Sequence, residues 1–171
     1  MEETLTFVTL TLAATLRVAT PLVLCAMGGL FSEKSGIIDV GLEGKMLMAA
    51  FFAAATASLT GSIWAGVGAG IVAAEVMALL HGVACIPYRG NQVVSGIALN
   101  ILAAGLTVVL GTAWFARGGQ TPPLGDSERL MPIFFPVARD NILVYAALLS
   151  VPFTWWAIAR TRFGLRLRAV R

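Results

Sequence analysis

The chain alternates between long apolar stretches and short polar ones. Predominantly apolar runs cover about residues 5–31, 37–60, 63–86, 93–115 and 142–159. Each is close to the ~20 residues needed to cross a hydrocarbon core as a helix. In lipid every backbone N–H and C=O has to pair within its own segment, so these runs are helices rather than open strands. The pattern predicts an all-α polytopic membrane bundle of about five transmembrane helices in a single transmembrane domain. Arg17 and Pro21 interrupt the first run, Gly61 and Ser62 make a tight connection, and Pro87 ends the third run. The stretch 116–141 holds Pro122, Pro123, Pro132 and Pro136 and reads as an exposed loop with a short surface helix, its "MPIFFPV" reaching the bilayer interface. Alanine and glycine are frequent in the runs, and Gly66 and Gly70 form a GxxxG pair, which suits close helix packing.

Composition sharpens this picture. Of 171 residues, 58% are hydrophobic and 12% charged, about half the charged share of a soluble domain. Arg160, Arg162, Arg166, Arg168 and Arg171 crowd the end of the chain. Beside a membrane span such a cluster marks a cytoplasmic flank rather than a nucleic-acid patch. Counting back through five spans places 116–141 outside, Arg89 inside, Gly61 outside, Lys34 and Lys45 inside, and the N-terminus outside. Met1-Glu2-Glu3 is acidic where a signal peptide is basic, so the first span is expected to be retained. Trp155 and Trp156 suit an interfacial belt. Cys25 and Cys85 have no CxxC spacing and read as small core residues.

Against this apolar background, "GLFSEKSGIIDVGLEGKM" (29–46) concentrates Glu33, Lys34, Asp39, Glu43 and Lys45 with four glycines. On the inferred topology it is a cytoplasmic turn that re-enters the membrane. Asp39 and Glu43 are four apart, which on a helix puts them on one face. They are structural or gating candidates: either intramembrane carboxylates of the kind that mark a solute path, or headgroup-level charges paired with Lys34, Lys45 or Arg89. Arg17 and Glu75 fall near mid-bilayer by helical rise. They are expected to form a structural tie, with a place in the solute path as the other reading.

The second polar cluster is "YRGNQVVSGIALN" (88–100). Asn91, Gln92, Ser95 and Asn100 are substrate-path candidates, because neutral amides and hydroxyls both donate and accept. The competing role is hydrogen bonding between helices. His81 is the only histidine and reads as a satisfied interior residue, so no metal site is expected. The run "GVGAG" lacks the spacing and preceding strand of a phosphate loop.

Taken together, "GLFSEKSGIIDVGLEGKM", "GNQVVSGIALNILA", "GGQTPPL" and "RTRFGLRLRAV" resemble the permease subunits of bacterial ABC importers in the branched-chain amino acid and simple-sugar group, nucleoside-type branch. The resemblance covers nearly the whole chain. Asp39 stands where many members carry Asn. It implies a permease subunit of an ATP-driven importer in the bacterial plasma membrane, moving a nucleoside or related small polar solute. It also implies an ATP-binding partner subunit, a second permease subunit and an extracellular substrate-binding lipoprotein. No cofactor is implied in this chain itself, ATP being bound by the partner. Family members continue past "FGLRLRAV" into a "GENP"-like segment that meets the ATPase, so the chain is expected to be an N-terminal half. A simple-sugar or branched-chain amino acid permease, or a stand-alone substrate-capturing subunit, are the alternatives. A membrane enzyme is disfavoured by the lack of clustered His, Cys or acidic residues.

Overall fold

The computed structural model describes residues 2–123, 125, 132–135 and 138–169. Their elements, in chain order, are α1 (Glu2–Lys34), α2 (Leu42–Thr60), α3 (Ile63–Cys85), α4 (Gln92–Phe115), β1 (Pro132–Phe135), β2 (Ala138–Asn141), α5 (Ile142–Arg160) and α6 (Arg162–Ala169). Helices α1 to α5 are each long and apolar enough to cross a membrane, as the hydrophobic pattern requires. Residues 1–36 with 130–171 make one compact unit and 37–129 a second.

In the first unit α1 runs unbroken through Arg17 and Pro21, where the sequence suggested an interruption. Membrane helices tolerate proline because neighbouring groups take up the freed backbone bond. Helix α5 packs on α1, and α6 follows α5 after one extended residue, Thr161. The rings of Phe31 and Phe163 meet at 6.2 Å, which ties α6 to the end of α1. The surface helix expected within 116–141 is not what its described part forms. Strands β1 and β2 pair antiparallel there, Pro132 opposite Asn141 and Phe135 opposite Ala138. The run Ile133-Phe134-Phe135 favours extended backbone, and a residue before proline, here Phe135, is steered away from the helical region. Met131, Pro136 and Val137 of "MPIFFPV" lie outside the described residues.

The second unit is built on the α2–α3 hairpin. Gly61 closes α2 in the left-handed region, φ 65°, and donates its N–H to the Ala57 carbonyl at 2.8 Å. Ser62 then caps α3. The two helices touch along Gly66 and Gly70: a Cβ on Gly66 would lie 2.6 Å from the Ala53 carbonyl oxygen, and one on Gly70 2.9 Å from that of Ala49. Helix α4 completes a small core of Met48, Met77, Leu99 and Ala103, with Phe52 and Leu106 packed on it. Phe51, Phe52 and Trp114 form an aromatic cluster between α2 and α4.

The hairpin contact makes a direct prediction. Gly66→Ala pushes a methyl into backbone and is expected to cost about 1–3 kcal/mol. Gly68→Ala has nothing within 4 Å and should leave stability level or slightly raised by helix propensity. Thermal unfolding of the two variants in detergent checks the difference, and equal midpoints would contradict the close crossing.

Candidate functional site

The polar residues of the second unit converge on the backbone between α1 and α2. The sequence pattern placed the start of the second span at residue 37, but the helix begins at Leu42 and 37–41 is a non-helical approach to it. The cause is local. Gly36 sits at φ 86°, a conformation that ends a helix readily only at glycine. Asp39 Oδ1 then accepts from the Gly41 N–H at 3.1 Å, an Asx-type bond that competes with helix formation. Asp39 and Glu43 therefore do not share a helix face: Asp39 precedes α2 and Glu43 lies in its first turn.

The second oxygen of Asp39 meets Lys45 Nζ, and both side chains are about nine-tenths buried, at 8% and 10% exposure. Of the three basic partners open to Asp39 on sequence grounds, Lys45 is the one it meets. His81 on α3 is 3% exposed, with Nε2 3.9 Å from Asp39 Oδ1. That is too long for a hydrogen bond. The other ring nitrogen, Nδ1, is 3.1 Å from Ser95 Oγ on α4. Cys85, one turn along α3, places its sulfur 3.7 Å from Nε2. The histidine is an interior residue, and among the described residues no cluster of three or more His, Cys, Asp or Glu could hold a metal.

Helix α4 grips the same segment through its amides. Gln92 Oε1 accepts from the Ile38 N–H at 2.7 Å. Asn100 Oδ1 accepts from the Gly44 N–H at 2.7 Å, and Asn100 Nδ2 donates to the Val40 carbonyl at 3.1 Å. Asn91 is used differently: its Oδ1 accepts from the N–H groups of Val93 and Val94 and caps α4. Glycine permits the close approach. A Cβ on Gly96 would lie 2.8 Å from the Gly41 nitrogen, and one on Gly44 2.9 Å from both Asn100 Cα and the Leu99 carbonyl oxygen.

All four substrate-path candidates thus have protein partners, and three of them, Gln92, Ser95 and Asn100, join the segment 37–45 and α3 to one helix. Glu43 is exposed in the first turn of α2, where a negative charge suits the helix dipole. Arg17 and Glu75 are exposed side chains in different units, on α1 and α3. The use of Asn100 on two separate backbone groups was not visible in the sequence. Its only signal was an amide at a depth where an apolar residue is the rule. Chemically the arrangement ties the non-helical segment 37–41 and the first turn of α2 to α4 through the amides of Gln92 and Asn100.

The profile of the family described as "Branched-chain amino acid transport system / permease component" matches residues 11–171. The chain is 32% identical to a guanosine ABC transporter permease protein of Bacillus subtilis, over 92% of this chain and 54% of the relative. It is 34% identical to a putative glucose ABC transporter permease protein of Haloferax volcanii, over 93% and 50%. To a nucleoside ABC transporter permease protein of Lactococcus lactis it is 33% identical, over 89% and 52%. The chain spans about half the length of these curated relatives. No solved structure matches it significantly.

Proposed function

The chain belongs to the family of branched-chain amino acid transport system permease components, and on that premise we propose that it is part of a permease subunit that carries a nucleoside or related polar solute through an ATP-driven importer. The observation that carries this reading is the clamped stretch 37–45, whose residues 37–41 are non-helical backbone leading into the first turn of α2, set among helices able to span a membrane. Irregular backbone at membrane depth occurs where it is buried in protein or lines a cavity, and carriers build solute sites from such interruptions. Asn91, Gln92, Ser95 and Asn100 then stand along the wall of the path. Their bonds to protein leave Asn100 one amide proton, and Asn91 and Gln92 their amide nitrogens, to meet a base or ribose.

The solute class follows from relatives whose names specify guanosine and nucleosides. The glucose name of a third favours a simple sugar as the second reading. Partners in this proposal are an ATP-binding subunit, which holds the nucleotide, a second permease subunit and an extracellular substrate-binding lipoprotein. The test is uptake of radiolabelled guanosine, glucose and leucine by cells carrying the full-length protein and its ATPase. Guanosine uptake that stops without the ATPase is expected. Uptake of glucose or leucine alone would overturn the solute assignment.

We further propose that the protein sits in the bacterial plasma membrane with the N-terminus and residues 116–141 outside, and with 88–92 and the arginine-rich end in the cytoplasm, following the basic flanks. Tyr88 is 80% exposed. In a background lacking Cys25 and Cys85, Tyr88→Cys should resist an impermeant thiol reagent in intact cells and react after the membrane is opened. Labelling in intact cells would reverse the topology.

A further inference from the structure

The first unit carries a groove distinct from the clamped segment 37–45 of the second. It runs between the last turns of α1 and α5, has a volume of about 250 Å³, and is walled by Met27, Leu30, Val151, Trp155 and Ile158. Lys34 stands at its end. From Met27 to Lys34 the helix rises roughly 10 Å, so the groove is an apolar strip with a single cation at one mouth. Helix α6 is brought to that mouth by the contact of Phe163 with Phe31, one turn before Lys34. Arg160, Arg162 and Arg166 are exposed there, and Arg162 and Arg166, four apart, share a face of α6. Phe163 and Leu165 are 56% and 61% exposed. Glu33 is the one acidic side chain in the last turn of α1, so this end is strongly cationic on balance.

We propose that this is a binding site for an anionic phospholipid, with an acyl chain in the α1/α5 groove and the headgroup phosphate between Lys34 and the arginines of α6. Two observations select an amphiphile. Short of Lys34 the lining is apolar apart from Thr154, so a free anion gains little from it. The cations gather at one end only, so a neutral chain leaves them unpaired. A short helix with basic and apolar side chains exposed together also suits the interfacial zone, where its guanidinium groups meet lipid phosphates. Trp155, in the groove wall, belongs at the same depth.

The test uses the chain purified in a neutral maltoside detergent. Dioleoylphosphatidylglycerol should raise the unfolding midpoint by on the order of 5 °C. Dioleoylphosphatidylcholine and glycerol phosphate should leave it near the starting value, which separates a lipid headgroup from a free phosphate. Lys34→Gln combined with Arg162→Gln and Arg166→Gln should abolish the difference between the two lipids. Leu30→Trp, which fills the groove and keeps every charge, should reduce the shift. Native mass spectrometry of the unaltered chain gives a reading that does not depend on the variants folding: phosphatidylglycerol should be retained at least tenfold over phosphatidylcholine. Equal retention, a full shift with glycerol phosphate alone, or an undiminished shift in the triple variant would overturn the site. So would a midpoint that ignores lipid and moves only with an ATPase subunit, which would make α6 a protein contact.

Discussion

Lys45→Met should unfold most of the chain, with a loss of about 3–5 kcal/mol, because it leaves the Asp39 carboxylate buried without its cation. The cost is electrostatic rather than steric, since methionine is close in length and volume to lysine. Both partners are about nine-tenths buried, so water cannot take over the role of the lost ammonium. His81 Nε2, at 3.9 Å from Asp39, is too far to replace it with a hydrogen bond. The companion experiment removes the charge and keeps the local geometry. Asp39→Asn retains a side-chain oxygen for the Gly41 N–H, so Lys45→Met with Asp39→Asn should recover to within about 1 kcal/mol of the parent. The yield of monodisperse protein and its unfolding midpoint in detergent measure both variants. If the double variant is as poor as the single, Lys45 acts through packing of its stem and not through the pair.

Asn100→Leu is the second large effect. Leucine matches asparagine in size and deletes both ends of the clamp, leaving the Gly44 N–H and the Val40 carbonyl without partners. Each unpaired group costs about 1–3 kcal/mol where water cannot reach it. The loss should be local. Hydrogen exchange across 37–44 should quicken by about 100-fold, the α2–α3 hairpin should keep its protection, and global unfolding should shift less than for Lys45→Met. Uniform acceleration over all three helices would show instead that Asn100 supports the whole unit. This variant also bears on transport, because a loosened segment would lower uptake even if Asn100 never touches solute. Parallel uptake by Gln92→Leu, which removes one bond to the same segment, separates the two roles: a graded loss follows the clamp, while a loss confined to Asn100 follows solute contact.

The helices were legible because burial in lipid leaves the backbone no other choice, and five apolar runs became five helices with ends shifted by a few residues. Pro87 and the Gly61-Ser62 turn punctuate the chain where they were expected to. The second helix was misplaced at its start because Ile37, Ile38 and Val40 are as apolar as a helix interior. What decides their conformation is a polar side chain, Asp39, bonding back to Gly41. The hairpin near 132–141 was missed for the opposite reason: prolines announced irregularity, while the strand preference of Ile133-Phe134-Phe135 lay hidden among them. At the site, residue types and positions were readable, but pairing was not. Asp39 had three basic residues to choose from, and the choice of Lys45 depends on where Gly36 and Gly41 turn the chain. Asn100 and Gln92 carried the chemistry of solute contact and of helix bonding equally, and only the proximity of 38–44 to α4 reveals their attachment to backbone. Arg17 and Glu75, matched in depth by counting, fall in separate units.

The bonds that hold 37–44 are not all available at the same moment of synthesis. Asp39 and Lys45 are six positions apart, so their pair can close as soon as the first turn of α2 forms. The three bonds to α4 link residues 54, 56 and 60 positions apart. At ribosomal speeds of about 5–20 residues per second, that separation is a delay of roughly 3–12 s. For that interval the α2–α3 hairpin can already be seated in the bilayer, while Ile38, Val40 and Gly44 still present bare amides and carbonyls. Until Gln92 and Asn100 arrive, these groups have to find other partners, so the segment is expected to be most exposed to proteolysis in that interval. Substitutions that delay α4 would reduce abundance without altering the finished fold.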